Sequence, residues 1–128
     1  MNQHRRQNAG FHMVNKPWGH EEIWAHTDHY VGKIMHIADG KRLALQYHRE
    51  KEKTIRVLFG VLTLVVGPVG IINPAEYATF DLLAGQQFHI PPCTIHRIEA
   101  RNGSVSVIEV STAHMNDVVR IEDDYERV

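Results

Sequence analysis

Short apolar runs, each cut off by a turn residue, constrain this chain more than any other feature. Strand-like stretches occupy 30–38, 42–48, 54–59, 61–66, 78–82, 87–91, 96–100 and 104–111. Between them fall Asp39-Gly40, Gly67-Pro68, Gly85 and Asn102-Gly103, and an Asn-Gly pair between apolar runs is a strong hairpin signal. Turn signals about every 8–12 positions predict an all-β sandwich or barrel. At 128 residues, 43% of them hydrophobic, the chain has the size and composition of one globular domain. We read residues 1–13 as a polar, flexible N-terminal arm and 14–128 as the folded domain.

Charge and cysteine usage exclude several functions. Lys and Arg total 14 against 15 Asp and Glu, so no excess charge recruits nucleic acid or an anionic membrane. No apolar run approaches the roughly 18–20 residues needed to span a bilayer, and Met1-Asn-Gln-His-Arg-Arg6 offers no signal-peptide core. The single cysteine, Cys93, precludes an internal disulfide and fits a reducing, cytoplasmic setting.

Other stretches read less regularly. Lys16-Pro17-Trp18-Gly19 is an extended turn whose indole belongs to an edge segment plugging or covering the barrel. The five charges of 49–53 lack an apolar partner and mark a solvated loop. The acidic tail, 116–128, reads as a helical turn or a strand packed across the barrel.

The candidate site comes from alternation along the strands. Of ten histidines, His36, His48, His89 and His96 fall on predicted strands. Gln46 and His48 are two apart, so an amide and an imidazole share one face. Lys53 is expected to begin the partner strand opposite His48, and His96 starts a separate strand after the Pro91 bend. Two readings stay open: Gln46, His48 and His96 converge as ligands, or they are hydrogen-bonded interior polar residues.

The spacings resemble the paired motifs of the cupins. The first runs from Gly40 through Gln46, His48 and position 53 to Gly60, and the second from Gly85 through Pro91 and Cys93 to His96. With Lys16-Pro17-Trp18-Gly19 and the segment Asp117 to Tyr125, they resemble the cupin domain of type II mannose-6-phosphate isomerases. That resemblance implies a single-domain jelly-roll barrel forming a homodimer, with exchange of the Trp18 and Trp24 segment across a two-fold axis. It also implies a divalent transition metal (Zn, Mn, Fe or Ni) on Gln46, His48 and His96, Lys51 or His89 as proton carriers, and Lys33, Arg97 and Arg120 as phosphate ligands.

One position departs from the pattern. Lys53 stands where the family carries an acidic metal ligand, and an ammonium repels a cation by roughly 4 kcal/mol per unit of ion charge at 4 Å in a dielectric of about 20. Glu52 or Glu109 would have to supply the carboxylate, or Lys53 itself holds an anion. Two functions therefore compete: metal-dependent sugar-phosphate isomerisation, and metal-free binding of a sugar or another small anion.

Overall fold

The structure, a computed structural model, describes residues 12–127. Eleven strands form two antiparallel sheets. They are β1 (His12–Lys16), β2 (Gly19–His26), β3 (Tyr30–Ile37), β4 (Leu45–Tyr47), β5 (Lys53–Phe59), β6 (Leu62–Val69), β7 (Ala78–Leu82), β8 (Gln87–Ile90), β9 (Thr94–Glu99), β10 (Val105–Thr112) and β11 (Val119–Glu122). The six-stranded sheet is ordered β1-β2-β3-β10-β5-β8 and the five-stranded sheet β11-β4-β9-β6-β7. The all-β expectation holds, and among the described residues the helical content is one turn of 3-10 helix at Pro74–Glu76. No helix there is long and apolar enough to cross a membrane.

Each strand's inward row changes character along its length, and that change creates the site. On β3 the row reads Ile37, Met35, Lys33; on β5 it reads Val57, Ile55, Lys53; on β10 it reads Val105, Val107, Glu109. Register aligns these rows. Val105 pairs with Ile37, Val107 with both Met35 and Val57, and Glu109 with both Lys33 and Ile55. On β9, Ile98 is followed toward the same end by His96. One end of the barrel is therefore filled by Met35, Ile37, Ile55, Val57, Val105 and Val107, with Leu62 and Leu64 beside them. Each such fully buried aliphatic side chain contributes about 1.5–3 kcal/mol, so the apolar end supports a polar opposite end.

Several local expectations change. The segment containing Lys16-Pro17-Trp18-Gly19 is a true hairpin, β1–β2, added to the edge of the larger sheet. Trp18 is buried in the core while Trp24 is exposed against Gly32. His12 and Met13, expected in the flexible arm, belong to β1, and the remainder of that arm lies outside the described residues. The strand expected over 42–48 shrinks to Leu45–Tyr47 plus a bridge between Arg42 and Glu99. Lys53 does not start a partner strand opposite His48, because β4 pairs with β9 and β11 while β5 pairs with β10 and β8. The charged loop instead carries the chain from one sheet to the other. The tail resolves as a strand, β11, at the edge of the smaller sheet.

Gly60 shows why a glycine is needed between β5 and β6. Its φ is +82°, and a Cβ there would lie 2.4 Å from the Ser104 carbonyl oxygen. Gly60→Ala is expected to destabilise the fold by at least about 1–2 kcal/mol, since the left-handed conformation and a backbone clash both oppose it. Urea denaturation checks this, and an unchanged midpoint would contradict the turn geometry.

Candidate functional site

The polar ends of the inward rows meet in a cavity of about 120 Å³. Its wall includes Gln46, His48, Lys51, Lys53, Glu109 and Arg120, with Trp18 and Met35 beneath. Gln46 on β4 stands in register with His96 on β9 and with Arg120 on β11. The His48 and His96 rings lie 5.3 Å apart between centroids, tilted by 46°. The structure thus places Gln46, His48 and His96 beside one another.

Backbone carbonyls fix both imidazoles in one tautomer. His48 Nδ1 lies 2.5 Å from the Asp117 carbonyl oxygen and His96 Nδ1 lies 2.8 Å from that of Thr94. A carbonyl can only accept, so each Nδ1 carries the proton and each Nε2 presents a lone pair. Both Nε2 atoms are buried without a hydrogen-bond partner among the described residues. Burial, then the Lys53 ammonium, holds His48 down at about 4. The same causes in the same order push the His96 value well down. Both rings thus stay neutral at ordinary pH, His48 in the cavity wall and His96 buried beside it.

The charges around them belong to a compact ion network. Lys53 Nζ lies 3.1 Å from Glu109 Oε1, and Lys51 Nζ lies 3.6 Å from Glu109 Oε2. Burial alone would raise the Glu109 carboxyl, but Lys53, then Lys51 and Lys33, outweigh it and hold it well below the usual carboxylate range. Burial lowers the Lys51 amine, opposed by Glu109 and reinforced by Lys53 and Lys33. Lys33 in turn lies 3.4 Å from Glu21 on β2. The cavity is lined by Lys16, Lys33, Lys51, Lys53, Arg120 and Arg127 against the two lining carboxylates of Glu21 and Glu109, with Arg127 held by Asp123 outside the lining. Arg120 Nε is buried and unpartnered among the described residues.

Those charges bear on the metal that the motif spacing implies. The two orphaned Nε2 atoms are donors of the right kind, with their other nitrogens held by carbonyls as metal-bound histidines usually are. The rest of the set is not. Lys53 brings an ammonium where an anionic ligand would stand, and Glu109, the nearby carboxylate, is already shared between Lys53 and Lys51. Gln46, His48 and His96 do not by themselves supply a charge-neutralising site for a divalent cation.

Two residues expected at the site lie elsewhere. His89 points outward from β8, half exposed, with Nε2 2.6 Å from Glu52. Alternation on that short strand puts Phe88 and Ile90, not His89, toward the core. Glu52, considered as a relocated ligand, is therefore also on the outside. Arg97 alternates with His96 and donates to the Leu43 carbonyl and to Glu122, tying β9 to the edge strand β11 on the side away from the cavity. The remaining expected residues, Lys33, Lys51, Lys53 and Arg120, line the cavity.

Asp117 is the participant that motif reading does not reveal. Besides its carbonyl bond to His48, its carboxylate accepts from the backbone N–H groups of Arg49, Glu50 and Lys51 at 3.0, 2.7 and 2.9 Å. Burial opposes its ionisation, but those N–H groups together outweigh it and lower its value to about 2. Cys93 N–H donates to the His48 carbonyl at 2.6 Å, with Cys93 at φ +64°, so the Pro91-Pro92-Cys93 turn is also tied to the His48 strand.

A family profile described as mannose-6-phosphate isomerase, C-terminal, matches residues 3–123. The chain belongs to that family. Its fold is a cupin, and several solved structures share it. CapF from Staphylococcus aureus aligns with a TM-score of 0.75 at 16% identity, over 88% of this chain and 34% of that one. KdgF from Halomonas sp. gives 0.64 at 17% identity, over 84% of this chain and 91% of that one. An oxalate decarboxylase variant from Bacillus subtilis gives 0.69 at 14% identity, over 86% and 30%. This cupin thus spans about a third of the CapF and oxalate decarboxylase chains. No curated protein matches it in sequence.

Two measurements check the site's internal bonds. Asp117→Ala leaves three loop N–H groups unpaired and is expected to cost about 1.5–3 kcal/mol in urea unfolding, with faster amide exchange at Arg49, Glu50 and Lys51. A variant with unchanged exchange would show that the carboxylate does not hold the loop. His48 predicts the pH response. Below about 6.5 the unfolded chain takes up the imidazole proton, while the folded chain refuses it until about 4. Stability therefore falls as pH drops through that window, by an upper bound on the order of 3 kcal/mol. NMR titration of the ring is expected to show it neutral at pH 5.5, and a protonated ring there would contradict the buried geometry.

Proposed function

We propose that this cupin binds a small hydroxylated anion, of the sugar-phosphate class, in a pocket that holds no resident metal. The observation that carries this reading is the placement of Lys53 at the acidic-ligand position, paired with Glu109 inside a pocket rich in cationic side chains. Lys51, Lys33 and Arg120 would supply donors to the phosphate oxygens, Arg120 through its unpartnered Nε. The neutral Nε2 atoms of His48 and His96 are acceptors, which suits sugar hydroxyl groups and not a second anion. The amide of Gln46 can serve either. Such a pocket pairs a charged anchor with hydroxyl recognition, as a phosphorylated sugar requires.

A second reading, metal-dependent aldose–ketose isomerisation of a sugar phosphate, is favoured by one specific observation, the two orphaned Nε2 atoms. Family membership supports the same substrate class. In that reading Lys51, its basicity lowered by burial, is the candidate proton carrier, and the exposed His89 has no part. We further expect a homodimer, with the exposed Trp24 and Val110 on the outer face of the larger sheet as the contact, and a cytoplasmic location compatible with the lone free thiol of Cys93.

Titration calorimetry with mannose 6-phosphate, inorganic phosphate and unphosphorylated mannose tests the first reading. Mannose 6-phosphate is expected to bind with EDTA present and to stabilise the fold by about 2.7 kcal/mol at one hundred times its Kd. Lys51→Met should weaken it at least about tenfold, the loss of one charge-assisted hydrogen bond. Binding that disappears on chelation, or accompanies interconversion with fructose 6-phosphate, would instead support the isomerase. Failure of every phosphorylated ligand to bind would reject both.

A further inference from the structure

Outside the pocket, the outer face of β2 and β3 brings together a second pair of imidazoles, and this one has a carboxylate. β2 and β3 run antiparallel, and His20 stands directly opposite His36. Glu22 is two residues from His20, so alternation puts both on the same face. The His20 and His36 ring centroids are 4.5 Å apart, and Glu22 Oε2 lies 3.8 Å from His36 Nε2. On the other side of the ring, His36 Nδ1 is 2.8 Å from Ser106 Oγ on β10, the residue in register with it.

Taken one donor atom per residue, His20, Glu22 and His36 all lie within 4.8 Å of one another. Tetrahedral ligands at about 2.0–2.1 Å from a zinc ion stand roughly 3.3 Å apart, so closing the set needs side-chain rotation and no backbone movement. All three residues are partly buried, which limits competition from bulk water. A cleft of about 250 Å³, lined by Gly19, His36 and Ser106 among others, opens beside them and offers a position for a water ligand. The contrast with the interior is chemical. Here the carboxylate belongs to the donor set, whereas inside the barrel Glu109 is claimed by lysines.

We propose that His20, Glu22 and His36 form a site for a divalent transition metal of the zinc class, with Ser106 orienting the His36 ring. Two imidazoles and one carboxylate suit zinc, nickel or copper better than calcium or magnesium. Bound metal bridges β2 to β3 and so pins the β1–β2 hairpin to the sheet. That hairpin's inner face supplies Glu21 and its turn supplies Trp18, both of which line the pocket. Metal on the outside therefore stiffens one wall of the binding pocket without touching its contents.

The test is titration of the full chain with zinc by calorimetry, and with cobalt as a spectroscopic substitute. One equivalent is expected, with the visible absorption of tetrahedral cobalt and a rise in Tm. His20→Ala and His36→Ala should abolish all three signals, Glu22→Gln should weaken binding at least about tenfold, and Ser106→Ala about 10–100-fold. His48→Ala should keep them. These outer-face variants should fold with metal-free Tm values near wild type, and the isosteric Glu22→Gln carries the test if a histidine variant does not. Absence of stoichiometric binding, or binding that survives His36→Ala or vanishes in His48→Ala, overturns the proposal.

Discussion

The pairing of Lys53 with Glu109 inside the barrel is the interaction on which the pocket depends. Two unit charges about 3 Å apart in a medium of effective dielectric near 20 attract by roughly 5 kcal/mol, and that attraction must offset the cost of removing both from water. The pair is stable there because further charges surround it. Lys51 reaches the other oxygen of Glu109, and Lys33 stands across the strand pair in register with it. The carboxylate consequently stays ionised and the histidines stay neutral. In this cupin the paired imidazoles share their surroundings with ammonium groups.

Those charges change what the histidines can do. Their Nδ1 protons are committed to the Asp117 and Thr94 carbonyls, so the group each ring has left to use is the lone pair on Nε2. With a metal beside it such a lone pair is a ligand, and with a sugar beside it the same lone pair receives a hydroxyl proton. The surrounding charge decides between these uses. The geometry of the rings alone does not.

Much of the fold was legible because turn residues and alternation are local properties. The Gly40-to-Gly60 and Gly85-to-His96 spacings placed Gln46, His48 and His96 on inward faces, and the structure does bring them together. What remained hidden depended on pairing between distant strands. Motif spacing showed a lysine at position 53 but not its partner, because assigning Glu109 requires knowing that β5 lies against β10 and not against β4. Arg97 was misplaced for a related reason. Its neighbour His96 faces inward, so Arg97 must face outward, toward a tail strand that no local signal positions. The β1–β2 hairpin was obscured by its polar outer residues, His20 and Glu22, which interrupt the apolar pattern.

Asp117 carries one more consequence. It lies beyond the last strand of the larger sheet, yet it orients His48 and gathers the 49–51 loop. During synthesis every barrel strand up to β10 leaves the ribosome before it does. A nascent chain can therefore close its apolar end while its pocket is still unfinished, and the pocket wall is completed only once β11 has paired along β4.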